Sequence, residues 1–240
     1  MSETEPREAS SPWKWVLLGC GLALFLGVGL VVALGYGTYR WGKSVEATMK
    51  DPVAREAEVR KVLGSANLPQ GYYAVAALSI PFIMDMAVLT DQPPKPNGQP
   101  GAMGERGLIF MRIITLGKQG QDVEDYFEGR SQDSEALRRS GIHIDTSELL
   151  KRGVLEAKGS NPRLRFLVQR GSIQERGKRS QGLITMVLPA CPSSGKRTMV
   201  IWTGPDPSPG GALDPALLPG TVADEAAIAE MMGQFKLCEQ

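Results

Sequence analysis

The sequence predicts an α+β fold: a single N-terminal transmembrane helix followed by one domain with a mainly antiparallel sheet and segregated helices. Three observations predict it. Trp15 to Tyr39 is an unbroken run of 25 uncharged residues. Val154 to Gly204 alternates strand and turn signals, the mark of consecutive hairpins. Helical periodicity is confined to short segments around those strands, an order that separates helices from strands.

Composition sets the outer bounds. The chain has 240 residues, 42% of them hydrophobic, and a net charge of +1. That is too apolar for a disordered chain and too neutral for a globally basic nucleic-acid binder. Three Cys cannot furnish a four-thiolate iron-sulfur cluster, and a closed zinc site would need the single His and all three Cys, with Cys20 inside the apolar run. No metal and no cofactor is expected.

Residues 1–14 read as a polar tail and 15–39 as the span. A helix rises about 1.5 Å per residue, so roughly 20 residues cross a hydrocarbon core of about 30 Å. Trp15 at one end and Tyr36, Tyr39 and Trp41 at the other put amphipathic rings at the headgroups, with Lys14, Arg40 and Lys43 just outside. A cleaved leader would have a shorter apolar region; the lipoprotein-like Leu17-Leu18-Gly19-Cys20 comes too early, because most of the apolar run follows it. The segment is therefore expected to stay as an anchor, with the lipid bilayer as a partner. Gly19, Ala23, Gly27 and Gly35 recur at four-residue spacing interrupted by Val31, a small-residue row that lets helices approach closely and self-associate.

Two signals disagree on orientation. Arg40, Lys43, Lys50 and Arg55 after the span favour a cytoplasmic domain by the positive-inside rule. Cys191 and Cys238, the only two cysteines beyond the span, form an even pair that suits a disulfide in an oxidising compartment. The second signal is adopted, giving an extracytoplasmic domain.

Residues 40–65 read as a helical stalk, with Asp51 as N-cap, Pro52 at the first helical position and Gly64 as the stop. The soluble domain is then 66–240. Tyr72–Leu89 reads as strand interrupted at Pro81, with Asp85 breaking an apolar run and pointing to solvent. Residues 93–104 form a flexible Pro/Gly loop. A strand over Gly107–Leu116 and a helix over Asp122–Glu128 follow, then short helices over Ser134–Arg139 and Asp145–Lys151, the latter from its Asp-x-x-Glu start. The hairpins come next, with Leu164, Phe166 and Val168 on one face and Arg163, Arg165 and Gln169 on the other. After a Pro/Gly-rich connection over 204–220, a helix over Val222–Lys236 carries Ile228, Met231, Met232 and Phe235 at helical spacing.

Catalytic motifs are wanting. Ser194-Gly195-Lys196-Arg197 lacks the glycine and hydroxyl of a phosphate loop, and Ser193-x-x-Lys196 sits at a hairpin tip. His143, the only histidine, lies between two isoleucines and reads as structural. The sharpest polar feature is charge: residues 151–200 hold eleven Lys and Arg against Glu156 and Glu175. Arg163, Arg165, Arg176, Lys178, Arg179, Lys196 and Arg197 are the candidate binding residues, for an acidic protein or anionic lipid. Nucleic acid is disfavoured because interleaved aromatic residues are scarce. The expected function is a non-catalytic binding, sensing or structural module at an envelope membrane, and the competing class is an anchored hydrolase or transferase.

Overall fold

The computed structural model describes residues 48–102, 104–114, 118–131, 145–156, 163–175, 178–191, 196–209, 211 and 214–238, with backbone alone at 118–119, 145–147, 172–175 and 178–181. They belong to one compact unit, Thr48–Gln240. The expected span with its Gly19, Ala23, Gly27 and Gly35 row, the Ser134–Arg139 segment, His143 and Arg176 lie outside the described residues. Among the described residues no helix is long and apolar enough to cross a membrane.

The chain order is α1 (Pro52–Leu63), β1 (Tyr73–Ile80), β2 (Met84–Thr90), β3 (Gly107–Ile114), α2 (Lys118–Phe127), β4 (Asp145–Leu155), β5 (Leu164–Glu175), β6 (Lys178–Pro189), β7 (Lys196–Gly204), a 3₁₀ turn (Pro215–Leu217) and α3 (Glu225–Gly233). The seven strands form one sheet in the order β1-β2-β3-β7-β6-β5-β4, every neighbouring pair antiparallel. The α+β class therefore holds for this domain.

α1 starts where the Asp51 side chain accepts the Val53 N–H at 2.9 Å and stops at Gly64, whose φ of 64° only glycine adopts cheaply. Its Val59, Val62 and Leu63 are buried against the sheet, so the expected stalk, from Thr48 onward, is part of the same compact unit. The buried Arg55 clips this corner together, donating to the carbonyls of Met49, Ala74 and Gly98. The 93–104 loop is tied at both ends through the Thr90 hydroxyl, which donates to Ala102 O and accepts from Gln92 N and Gly104 N.

Side chains alternate across the sheet. Leu108, Phe110, Leu164, Phe166, Leu183, Val187, Val200 and Trp202 pack with α1 and α3 on one face. Leu167, Ile184, Met186, Leu188, Met199 and Ile201 pack on the other against Val123, Tyr126 and Phe127 of α2. Helices thus lie on both faces, where the sequence suggested one segregated group. α3 is shorter than expected at both ends. Asp224 caps it by accepting from Ala226 N, while Val222 and Ala223 are already buried in the preceding turn. Beyond its end the tail turns along the sheet, and Lys236 N donates to Leu63 O.

One expected helix is wrong. Asp145–Lys151 is the first part of β4, an edge strand whose pairing with β5 slips between Thr146 and Glu148 and again between Leu149 and Lys151. Those two bulges break the two-residue alternation by which a strand is recognised.

Candidate functional site

Among the described residues the helices leave half of one face bare. α2 covers β5, β6 and β7, and no described helix packs over β1 and β2 on that side. The register aligns Ala76 with Val88 and Ile109, Leu78 with Met86 and Met111, and Ile80 with Met84 and Ile113. These nine side chains form a three-by-three apolar array in which all are partly exposed. Ile109 and Met111 border the core under α2; the other seven belong to neither core. Singly exposed apolar residues are ordinary, whereas a contiguous block of this kind marks an interaction surface.

The array ends at a tight turn. Ile83 N donates to Ile80 O at 3.0 Å, closing a β-turn with Pro81 second and Phe82 third. Phe82 has a φ of 64°, the one non-glycine residue with positive φ among the described residues. Proline cannot take positive φ at the second position, so the turn is type II, whose third position calls for Gly or Asn. A phenylalanine there costs about 1 kcal/mol or more in backbone energy. The ring is 84% exposed and the neighbouring Ile83 55% exposed, so no burial offsets the cost within the described residues. Phe82 is thus both strained and, among the described residues, without burial.

On the opposite face the same end of the sheet is polar and filled. Ser79, Asp85, Arg112 and Thr198 form a transverse row on β1, β2, β3 and β7. Ser79 Oγ donates to Asp85 at 2.5 Å and Lys196 Nζ to the same carboxylate at 2.9 Å. Arg112 bonds Lys236 O, and Thr198 Oγ1 donates to Leu237 O at 2.5 Å, so the row docks the C-terminal tail. Asp85 is thus on the helix-bearing face with partners, contrary to its expected solvent orientation. Burial alone would raise its pKa, but the Ser79 and Lys196 hydrogen bonds and the charges of Lys196 and Arg112 outweigh burial and hold it below the ordinary carboxylate value. This is the closest approach to the Ser, Asp and Lys set of a hydrolase. The carboxylate stands between the other two, so Lys196 is ion-paired to it instead of accepting the Ser79 proton, and Asp85, held below the ordinary carboxylate value, is a weak base for that proton.

The expected basic row is drawn into ion pairs. Arg165 reaches Glu124 of α2 and Glu128 in the turn after it, Arg197 bonds Glu124 at 2.6 Å and Gly120 O at 3.1 Å, Lys196 holds Asp85, and Arg163 pairs with Glu156 at the surface. The side chains of Lys178 and Arg179 are not among those described. Cys191 and Cys238 are joined in a disulfide with Cα atoms 5.5 Å apart, fastening the tail beside the polar row. Among the described residues no group of His, Cys, Asp and Glu could hold a metal ion. No protein-family model matches the chain, and no curated protein matches it. Sequence reading passed over Phe82, yet a signal was present: Pro81 between two apolar strands marks a turn, and the residue after it is not Gly or Asn.

Proposed function

We propose that the chain is a single-pass membrane-anchored protein whose α+β domain is a non-catalytic binding, sensing or structural module at an envelope membrane, with the bare half-sheet of β1–β3 as its binding surface. The observation that carries this reading is the nine-residue apolar array ending at Phe82, a surface costly to keep in water unless something covers it. The anchor rests on the 25 uncharged residues from Trp15 to Tyr39. The Cys191–Cys238 bond supports an extracytoplasmic domain, because such bonds form and persist in oxidising compartments. An acidic protein or anionic lipid is the weaker partner class, since Arg165, Lys196 and Arg197 already share their charge with Glu124, Glu128 and Asp85.

Two measurements test it. Membranes carrying the full chain are washed with alkaline carbonate; the chain stays with lipid until detergent is added, and its release by the wash alone overturns the anchor. The particle size of the detergent-solubilised chain is then compared with that of Met86→Glu. A drop in size with an unchanged melting temperature supports the binding surface, and identical sizes refute it.

A further inference from the structure

We propose that a second copy of the chain joins the first antiparallel along β1, the edge strand of the bare half-sheet. The inference rests on reading the bare half-sheet as a binding surface and adds a second copy along its edge, which extends that surface.

The sheet has two edges, and they differ. β4 is guarded as edges of monomeric proteins are: it carries Glu148, Lys151 and Arg152, and two bulges interrupt its ladder. β1 reads Tyr-Ala-Val-Ala-Ala-Leu-Ser-Ile, with no charge and no proline. Its single bulge falls between Ala74 and Ala76, leaving Ala76–Ile80 regular. β1 pairs only with β2, so the outer backbone groups of that stretch have no strand partner among the described residues. An uncharged strand can also face itself across a two-fold axis without opposing like charges.

Register selects the axis. Directly opposed residues of antiparallel strands point to the same face, so a dyad at Leu78 sets Leu78 against Leu78 and Ile80 against Ala76 of the partner subunit, all on the bare face. Past Ile80 the chain turns, and the turn that carries Phe82 extends toward the end of β1 that holds Tyr73 of the partner subunit. Tyr73 is 40% exposed and lies at the opposite end of the same strand. One symmetric contact therefore joins the two apolar arrays into one continuous face, with each Phe82 turn beside the end of the other copy's strand. The axis of such a pair runs along the sheet normal, so both α1 helices, and both chains at Thr48, lie on one side, as two anchors in a single bilayer require.

The test uses the full chain in detergent and in lipid nanodiscs, with Cys20→Ser to remove the other free thiol. Leu78→Cys should give a reductant-reversible band of two chains on mild oxidation. Ala76→Cys and Ile80→Cys should each stay as single chains alone but link when mixed, because each faces the other across the dyad. Phe82→Gly should weaken self-association by about tenfold while raising the melting temperature, a combination that a purely structural role for Phe82 does not produce. Retention of the Cys191–Cys238 link by mass mapping shows that each variant is folded. Free thiols at Leu78→Cys in folded chain, or equal linking of all three variants, overturn the proposal. If Met86→Glu still lowers particle size while those thiols stay free, the surface binds something else and only the second copy is lost. If neither changes, the binding surface falls with it.

Discussion

Phe82 and Asp85 are three residues apart, and each departs from its neighbours in an opposite way. Phe82 is strained and bare, so its removal should help the isolated fold. Phe82→Gly is expected to raise stability by about 1 kcal/mol, which for a domain of this size is a rise of roughly 2–4 °C in a thermal melt. Asp85 is polar and satisfied. Its folded pKa lies below the unfolded value of about 3.9, so its contribution is present above that pH and is lost as pH falls through the folded value. The expected outcome is that Asp85→Asn is less stable than the parent at pH 7, and that the gap between them narrows in melts run below about pH 4. Arg55 is a third case, a buried guanidinium whose donors reach three carbonyls from separate segments. Arg55→Met leaves those carbonyls without their donors, at an expected cost of about 3 kcal/mol in denaturant unfolding.

At the scale of elements, legibility followed regularity. α1 could be read because Asp51, Pro52 and Gly64 each do one local job at its ends, and α3 because Asp224 and the buried spacing of Ile228, Met231 and Met232 agree. Asp224 accepts from both Gly220 N and Ala226 N, so Asp224→Ala should cost about 1–2 kcal/mol, seen as a lower urea midpoint with an unchanged slope. β4 was illegible for a physical reason. Its bulges shift the side-chain phase twice in eleven residues, and the segment Asp145–Glu148 offers a helix-like cap that pairing with β5 overrides. The bare half-sheet was hidden differently. β2 is apolar on both faces, so nothing in Met84–Thr90 says which face is covered; that depends on α2 settling over β5 to β7, a long-range choice.

For the whole molecule, the tail decides how the domain is closed. The last described residues run from α3 across the polar row of Arg112 and Thr198, and Cys238 ends bonded to Cys191. The sequence set these cysteines apart as a pair but could not show that the tail passes the Lys196–Asp85 ion pair on its way. The bond closes a loop with a sequence separation of 47, and by chain entropy such a loop stabilises by about 4 kcal/mol. That is a large share of the 5–15 kcal/mol typical of a domain. Reduction should therefore lower the unfolding free energy by about 2–4 kcal/mol and loosen first the contacts of Lys236 and Leu237, read as faster amide exchange there and at Arg112 and Thr198 than in α1. The same bond ties stability to location. With the bond reduced the tail would be held by its hydrogen bonds and by the buried Phe235 and Leu237, and the proposed extracytoplasmic location would keep the bond formed. Mass mapping of native membranes without reductant is expected to recover the Cys191 and Cys238 peptides linked. Two free thiols in that experiment would move the domain to the cytoplasmic side, the side that Arg40, Lys43, Lys50 and Arg55 favour by charge.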